Sequence, residues 1–167
     1  MSVRVRLRRD LFDAMVADLR RPHPFALERV GFLYGKLARA LDLRLVIPFE
    51  YVPVPDEQYL DEPDAAATIN ADALFDAHQR TRRAQDCCLH VHMHLGEGST
   101  WFGTTDLKTL RRIGPSLQRM AKGGAHGGLV LTLSTASTLL WLPGDTEPSR
   151  GRVSIVGFPT SVDWRRT

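Results

Sequence analysis

Long apolar runs are missing from this 167-residue chain. No stretch reaches the ~18 residues that a membrane-crossing helix requires, so no membrane partner is expected. The opening segment MSVRVRLRRD is charged from Arg4 onward and lacks the apolar core and small-residue site of a secretory signal. Cysteine is nearly absent. The two that occur, Cys87 and Cys88, are adjacent. Sequence neighbours rarely meet ordinary disulfide geometry, and one pair cannot staple a secreted framework. They read as small buried hydrophobes in a reducing cytoplasm. Lysine is scarce beside arginine, 3 against 19, and the net charge is only +3. Without a long basic run, that surplus gives no reason to expect nucleic acid as a partner. Internal repeats and low-complexity tracts are absent too.

What remains is ordinary for a globular protein: 43% hydrophobic and 25% charged residues in a length that one core can span, hence a single domain over 1–167. Val3, Val5 and Leu7 alternate with Arg4, Arg6 and Arg8, the period of a half-buried strand whose arginines form a solvated face. Asp10 is placed to cap a helix through about Arg20, with Leu11, Met15, Val16 and Leu19 on one side. Residues 26–36 read as a strand and 43–54 as its partner. Pro53, Pro55 and Pro63 then break regularity, and Asp56, Glu57, Asp61, Glu62 and Asp64 make the loop to Ala67 acidic, a candidate binding rim. A helix is expected over 71–83, a strand over 86–94, a helix over 105–113 and a fresh turn or helix from Pro115. Later strands are expected over 129–133, 138–142 and 153–158. The pattern predicts the α/β class, with a mixed β-sheet flanked by helices.

Histidine is the informative residue. Three of the six fall at His90, His92 and His94. Alternate residues of a strand project to one face, so an H-x-H pair can offer two imidazoles to one metal. Asp106 lies at the expected start of a helix, where the helix dipole favours a carboxylate. If the intervening turn returns it to the strand end, two imidazoles and one carboxylate suit Zn²⁺ and leave a fourth position for water. His90, two residues deeper, reads as a histidine behind the ligands. The cysteines have no C-x-x-C or H-x-E partner, unlike the zinc deaminases, and the H-E-x-x-H helix of common zinc proteases is absent.

One further block precedes the histidines: Glu28-Arg29-Val30-Gly31-Phe32-Leu33-Tyr34-Gly35. With His92-Met93-His94 and Phe102-Gly103-Thr104-Thr105-Asp106, it resembles the JAMM-type metalloproteases of the MPN (JAB) domain family. That family carries a glutamate before a G-x-L-x-G strand, then H-x-H, then a spacer to S-x-x-D. The resemblance spans roughly residues 24–158 and is closest to bacterial JAB-type proteins found beside ubiquitin-like conjugation enzymes. It implies an MPN-type, cytidine-deaminase-like domain and one zinc held by His92, His94 and Asp106. It implies that Glu28 activates a zinc-bound water as general base, in a deubiquitinase-like isopeptidase. The implied partners are a ubiquitin-like protein or its conjugates, with conjugation-pathway enzymes encoded nearby.

Two positions depart from the family pattern. Gly103 stands where the family has the serine expected to stabilise the oxyanion, and Leu95 stands where a proline often follows the second histidine. The Gly103 backbone N–H, Thr104 or Thr105 are the candidate substitutes for the lost hydroxyl. A substrate tail is expected to add as a strand beside the active-site sheet, between walls formed by residues 53–67 and 95–103. Two other readings stand beside the isopeptidase: a catalytically weak MPN scaffold that binds a partner protein, and a zinc hydrolase of a small amide.

Overall fold

A computed structural model describes residues 2–62, 65–94 and 101–157, together with the backbone of 161–164. In chain order the elements are β1 (Ser2–Arg8), α1 (Arg9–Leu19), β2 (Val30–Ala40), β3 (Leu43–Pro53), a 3-10 turn at Asp56–Gln58, β4 (Tyr59–Leu60) and β5 (Thr68–Ile69). They continue with α2 (Ala71–Ala84), β6 (Cys87–Met93), α3 (Thr104–Met120), β7 (His126–Leu131), β8 (Ala136–Trp141), β9 (Ser149–Val156) and β10 (Ser161–Trp164). Among the described residues no helix is long and apolar enough to cross a membrane.

The expected mixed α/β arrangement is present, with one addition. The main sheet runs β1-β3-β2-β6-β7-β8-β9-β10, and a further β1–β9 pairing closes seven of these strands into a ring. The closure follows from how β1 is shared. Its first half, Ser2 to Val5, pairs in parallel with 43–46 of β3, while Arg4 to Arg8 pair in parallel with 152–156 of β9. Side-chain alternation in β1 records which face is buried, but not how many neighbours the backbone has. The alternation itself holds: Val3, Val5 and Leu7 are buried, and Arg4 and Arg6 lie on the other face.

Helix α1 adds Phe12, Met15 and Leu19 to the main core, beside Val46, Leu89, Leu129, Leu140 and Ile155. A second cluster joins Ala73 and Ala77 of α2 and Ile113 and Leu117 of α3 to Phe32, Tyr34 and Cys88. Strand β6 therefore has apolar packing on both faces. That environment explains its near-continuous burial and fixes its two end histidines on a stiff support.

Several boundaries differ from the sequence expectation. Asp10 is not a cap: α1 begins at Arg9 without a side-chain cap, and Asp10 sits in the first turn gripped by Arg8 at 2.7 and 3.0 Å. The strand expected from residue 26 starts at Val30, which leaves Glu28 in the segment just before it. Pro115 does not start a new element. Helix α3 runs through it because Leu110, Ile113, Gly114 and Leu117 form one buried stripe, and that burial outweighs the lost backbone hydrogen bond. Gly114 permits the approach, since a Cβ there would lie 2.3 Å from the Trp141 ring. The later strands begin two or more residues earlier than expected, and Phe158 lies outside the described residues.

Candidate functional site

Strand β6 lies between antiparallel β2 and parallel β7, and its C-terminal end carries the site. His92 is buried and His94 half-buried. Their Nε2 atoms face each other at 3.1 Å. Asp106, in the first turn of α3, brings Oδ2 to 3.4 Å from the His92 Nε2 and 3.6 Å from the His94 Nε2. Three donor atoms around a tetrahedral zinc, each ~2.0–2.1 Å from it, are spaced by roughly 3.3–3.4 Å. Two imidazole nitrogens turned toward each other and a carboxylate oxygen at that spacing make a donor set that suits a divalent cation.

Asp106 is held in place from its own helix end. The Gly103 N–H donates to its Oδ2 at 2.8 Å. Burial alone would raise the Asp106 carboxyl, but the His92 hydrogen bond and charge, the Gly103 N–H and nearby His94 bring it down to about 2. It is the permanent anion of the group.

Glu28 reaches the same place from the segment just before β2. The β2–β6 ladder ends at the Val30–His92 pair, and Glu28 and His94 each lie two residues beyond it. Its backbone is fixed on every side. The N–H groups of Leu27 and Glu28 both donate to the Ala66 carbonyl, at 2.7 and 3.0 Å. The Tyr59 hydroxyl accepts from the Val30 N–H at 2.7 Å and donates to the Val30 carbonyl at 3.2 Å. Arg29 is only 2% exposed, and its guanidinium donates to the carbonyls of Arg21 and Pro22 and to Asp56. Glu28, His92 and His94 place ligand atoms within 4.8 Å of one another, so this trio too can hold a metal ion. The two acids differ in character. Burial pushes the Glu28 carboxyl up, and Asp106 adds to this, while His92 and His94 oppose it. The acid whose anion is stabilised suits ligation, and the acid with the raised pKa suits proton transfer.

Glu28, His92, His94 and Asp106 line one cavity of ≈ 280 Å³. Ala65, Ala66 and Ala67 form one wall, as the long loop was expected to do, and Gly103, Thr104 and Thr105 form another. Residues 95–100 of the second expected wall, Leu95 included, lie outside the described residues. Because the Gly103 N–H is taken by Asp106, the substitute donors that remain at this rim are the Thr104 and Thr105 hydroxyls. His90 also borders the cavity but stands edge-on to Phe32 at 5.8 Å, and burial together with His92 lowers its pKa to about 3. It is neutral and stands behind the donor group.

Strand addition beside β6 finds no room, because β2 and β7 occupy both of its edges. The two-residue ribbon β4–β5, next to the alanine wall, is the nearest structure with unpaired edges. The acidic rim is partly spent internally: Asp56 binds Arg29, and Glu62 accepts a hydrogen bond from Thr68. Asp64 lies outside the described residues. Cys87 and Cys88 are free and buried, and burial raises their thiols to about 11 and about 12, which makes them inert packing groups.

Sequence reasoning missed Arg29 and Tyr59. The available signal was an arginine directly beside Glu28 with a distant aspartate to neutralise it. No protein-family model matches this chain, and no curated protein matches it.

Proposed function

We propose that this chain is a zinc-dependent isopeptidase of the JAMM/MPN type, with a cytidine-deaminase-like domain. Its substrates are ubiquitin-like conjugates or precursors of a bacterial ubiquitin-like modification pathway in the cytoplasm. The observation that carries this reading is the near-equilateral triangle of His92 Nε2, His94 Nε2 and Asp106 Oδ2, with edges of 3.1, 3.4 and 3.6 Å, and a second acid of raised pKa beside it.

His92, His94 and Asp106 would hold the metal. Zinc bound there supplies a water acidified to near neutrality and polarisation of the scissile carbonyl. Glu28 takes a proton from the attacking water and delivers it to the departing amine as the amide C–N bond breaks, and with the water's second proton the products are a carboxylate and an ammonium group. Its pKa, raised by burial, favours one carboxyl for both transfers. Thr104 and Thr105 offer hydroxyls toward the developing oxyanion. Ala65, Ala66 and Ala67 line the cavity with small side chains, which suits small residues near the scissile bond.

The test is metal analysis combined with cleavage of a ubiquitin-like fusion. One zinc per chain, and cleavage abolished by chelation and by Glu28→Gln with zinc retained, supports the reading. Zinc binding with cleavage of small amides alone points to a small-amide hydrolase. Gly103 favours one second reading, a catalytically weak scaffold, because its N–H is committed to Asp106 and it brings no hydroxyl. Partner binding without turnover in the zinc-loaded protein would select it.

A further inference from the structure

The outer face of the β1–β9 pair carries a concentration of cationic groups that the metal site does not use. Arg4 of β1 is in direct register with Arg152 of β9, and Arg6 with Ser154. Arg4, Arg150 and Arg152 line one cavity of ≈ 320 Å³, together with Ser2 and Val3, and no carboxylate is among its lining residues. Among the described residues, Asp42 meets Ser2 only through its backbone oxygen.

Neighbouring arginines are treated differently by the fold. Arg8 is neutralised by Asp10 and Arg9 by Asp13. Arg4 and Arg152 make no hydrogen bond or ion pair among the described residues, and Arg150 only stacks over the Trp101 ring at 4.0 Å. One step along the ladder, the Arg6 Nε and the Ser154 Oγ are both buried without a hydrogen-bond partner. Like charges directly across a strand pair repel, and buried donors without acceptors cost free energy. A multivalent oxyanion in the cavity relieves the repulsion among Arg4, Arg150 and Arg152, and the planar guanidinium fork matches phosphate oxygens in pairs.

We propose that the cavity between Arg4, Arg150 and Arg152 is a binding site for a small phosphorylated ligand, distinct from the metal site and independent of the catalytic reading. Its volume falls at the lower end of small-molecule pockets, a size suited to a polyphosphate or nucleotide phosphate chain.

The test titrates the full chain with inorganic tripolyphosphate at fixed 150 mM chloride and follows thermal unfolding. Saturating tripolyphosphate is expected to raise the Tm by about 4 °C or more. The Arg4→Gln/Arg152→Gln double variant is expected to bind at least about tenfold more weakly with unchanged zinc content. Arg4→Lys/Arg152→Lys keeps the charge but loses the forks, and it is expected to weaken binding as well. If the glutamine variant misfolds, the lysine variant decides. No shift in the wild type, or an equal shift in the folded variants, overturns the proposal. An unstructured 20-nucleotide single strand that binds far more tightly per phosphate than tripolyphosphate overturns it in favour of a nucleic-acid surface.

Discussion

Val30 pairs with His92 at the end of the β2–β6 ladder, and Glu28 and His94 each lie two residues beyond that pair. Two residues 62 positions apart thus help bring Glu28 to the donor group. Glu28→Gln is expected to retain metal at wild-type stoichiometry and to lose cleavage by about 10²-fold or more. His92→Ala and Asp106→Ala are expected to lose the metal itself. Metal analysis and cleavage assays on the same preparations check both outcomes. Loss of metal in Glu28→Gln would move Glu28 into the ligand set.

Arg29 acts through the backbone beside Glu28. Arg29→Met leaves the Arg21 and Pro22 carbonyls without their donor and frees Asp56. A cost of about 2–4 kcal/mol is expected, read as a lower urea midpoint. Turnover should fall while metal content stays constant. Unchanged turnover would show that the segment before β2 is held without this side chain.

Gly103 offers a gain-of-function test. A Cβ there would stand 3.3 Å from the Asp106 Oδ2, close enough to require a small shift but not expulsion. Its φ of −67° suits any residue. Gly103→Ser is expected to raise cleavage by about tenfold or more by adding an oxyanion donor, whereas Gly103→Ala should not. Equal rates in the two variants would assign the effect to backbone stiffening.

Gly35 is required by packing. A Cβ there would come within 2.6 Å of the Ile47 carbonyl oxygen and 2.8 Å of the Pro48 Cα, both backbone atoms, at the β2–β3 register shift. Gly35→Ala is expected to destabilise the fold by about 1–3 kcal/mol. Chemical denaturation reads this directly, and a neutral outcome would mean that the bulge yields.

His126 couples stability to pH. Its Nδ1 accepts from the Cys88 N–H at 3.2 Å, which leaves Nε2 to donate to the Ala121 carbonyl at 2.9 Å. Burial, together with His78, lowers its pKa below the usual 6.5, against the opposing pull of the Ala121 carbonyl. The unfolded chain therefore binds the proton first. The stability tied to neutral His126 is complete above about pH 6.5 and is lost as pH falls toward the depressed folded value. In chelator-treated protein, the urea midpoint should drop from pH 7.5 to 5.5, and less steeply in His126→Gln. Parallel profiles would remove His126 from the linkage.

The strand core and the three blocks of the site were legible because each rests on a local pattern: alternation in β1, H-x-H in β6, and Asp106 in a helix's first turn. The parts that were not legible are non-local. Nothing in the alternation of Val3, Val5 and Leu7 distinguishes one neighbour from two, so ring closure was invisible. Pro115 signalled a break that Ile113, Gly114 and Leu117 override by packing. Arg29 reads as a surface cation until Asp56 and two carbonyls converge on it. The acidic loop was read as a rim, but its contribution to the cavity is made by Ala65, Ala66 and Ala67.

Strand β1 is the clasp of the main sheet, fastened to β3 by one half and to β9 by the other. A cut between Arg8 and Arg9 that released it would leave two long raw borders, each with a file of unmet amide and carbonyl groups. Chains so opened would tend to fasten onto one another, trading the missing segment for a neighbour's. Integrity at this single junction thus keeps both borders covered.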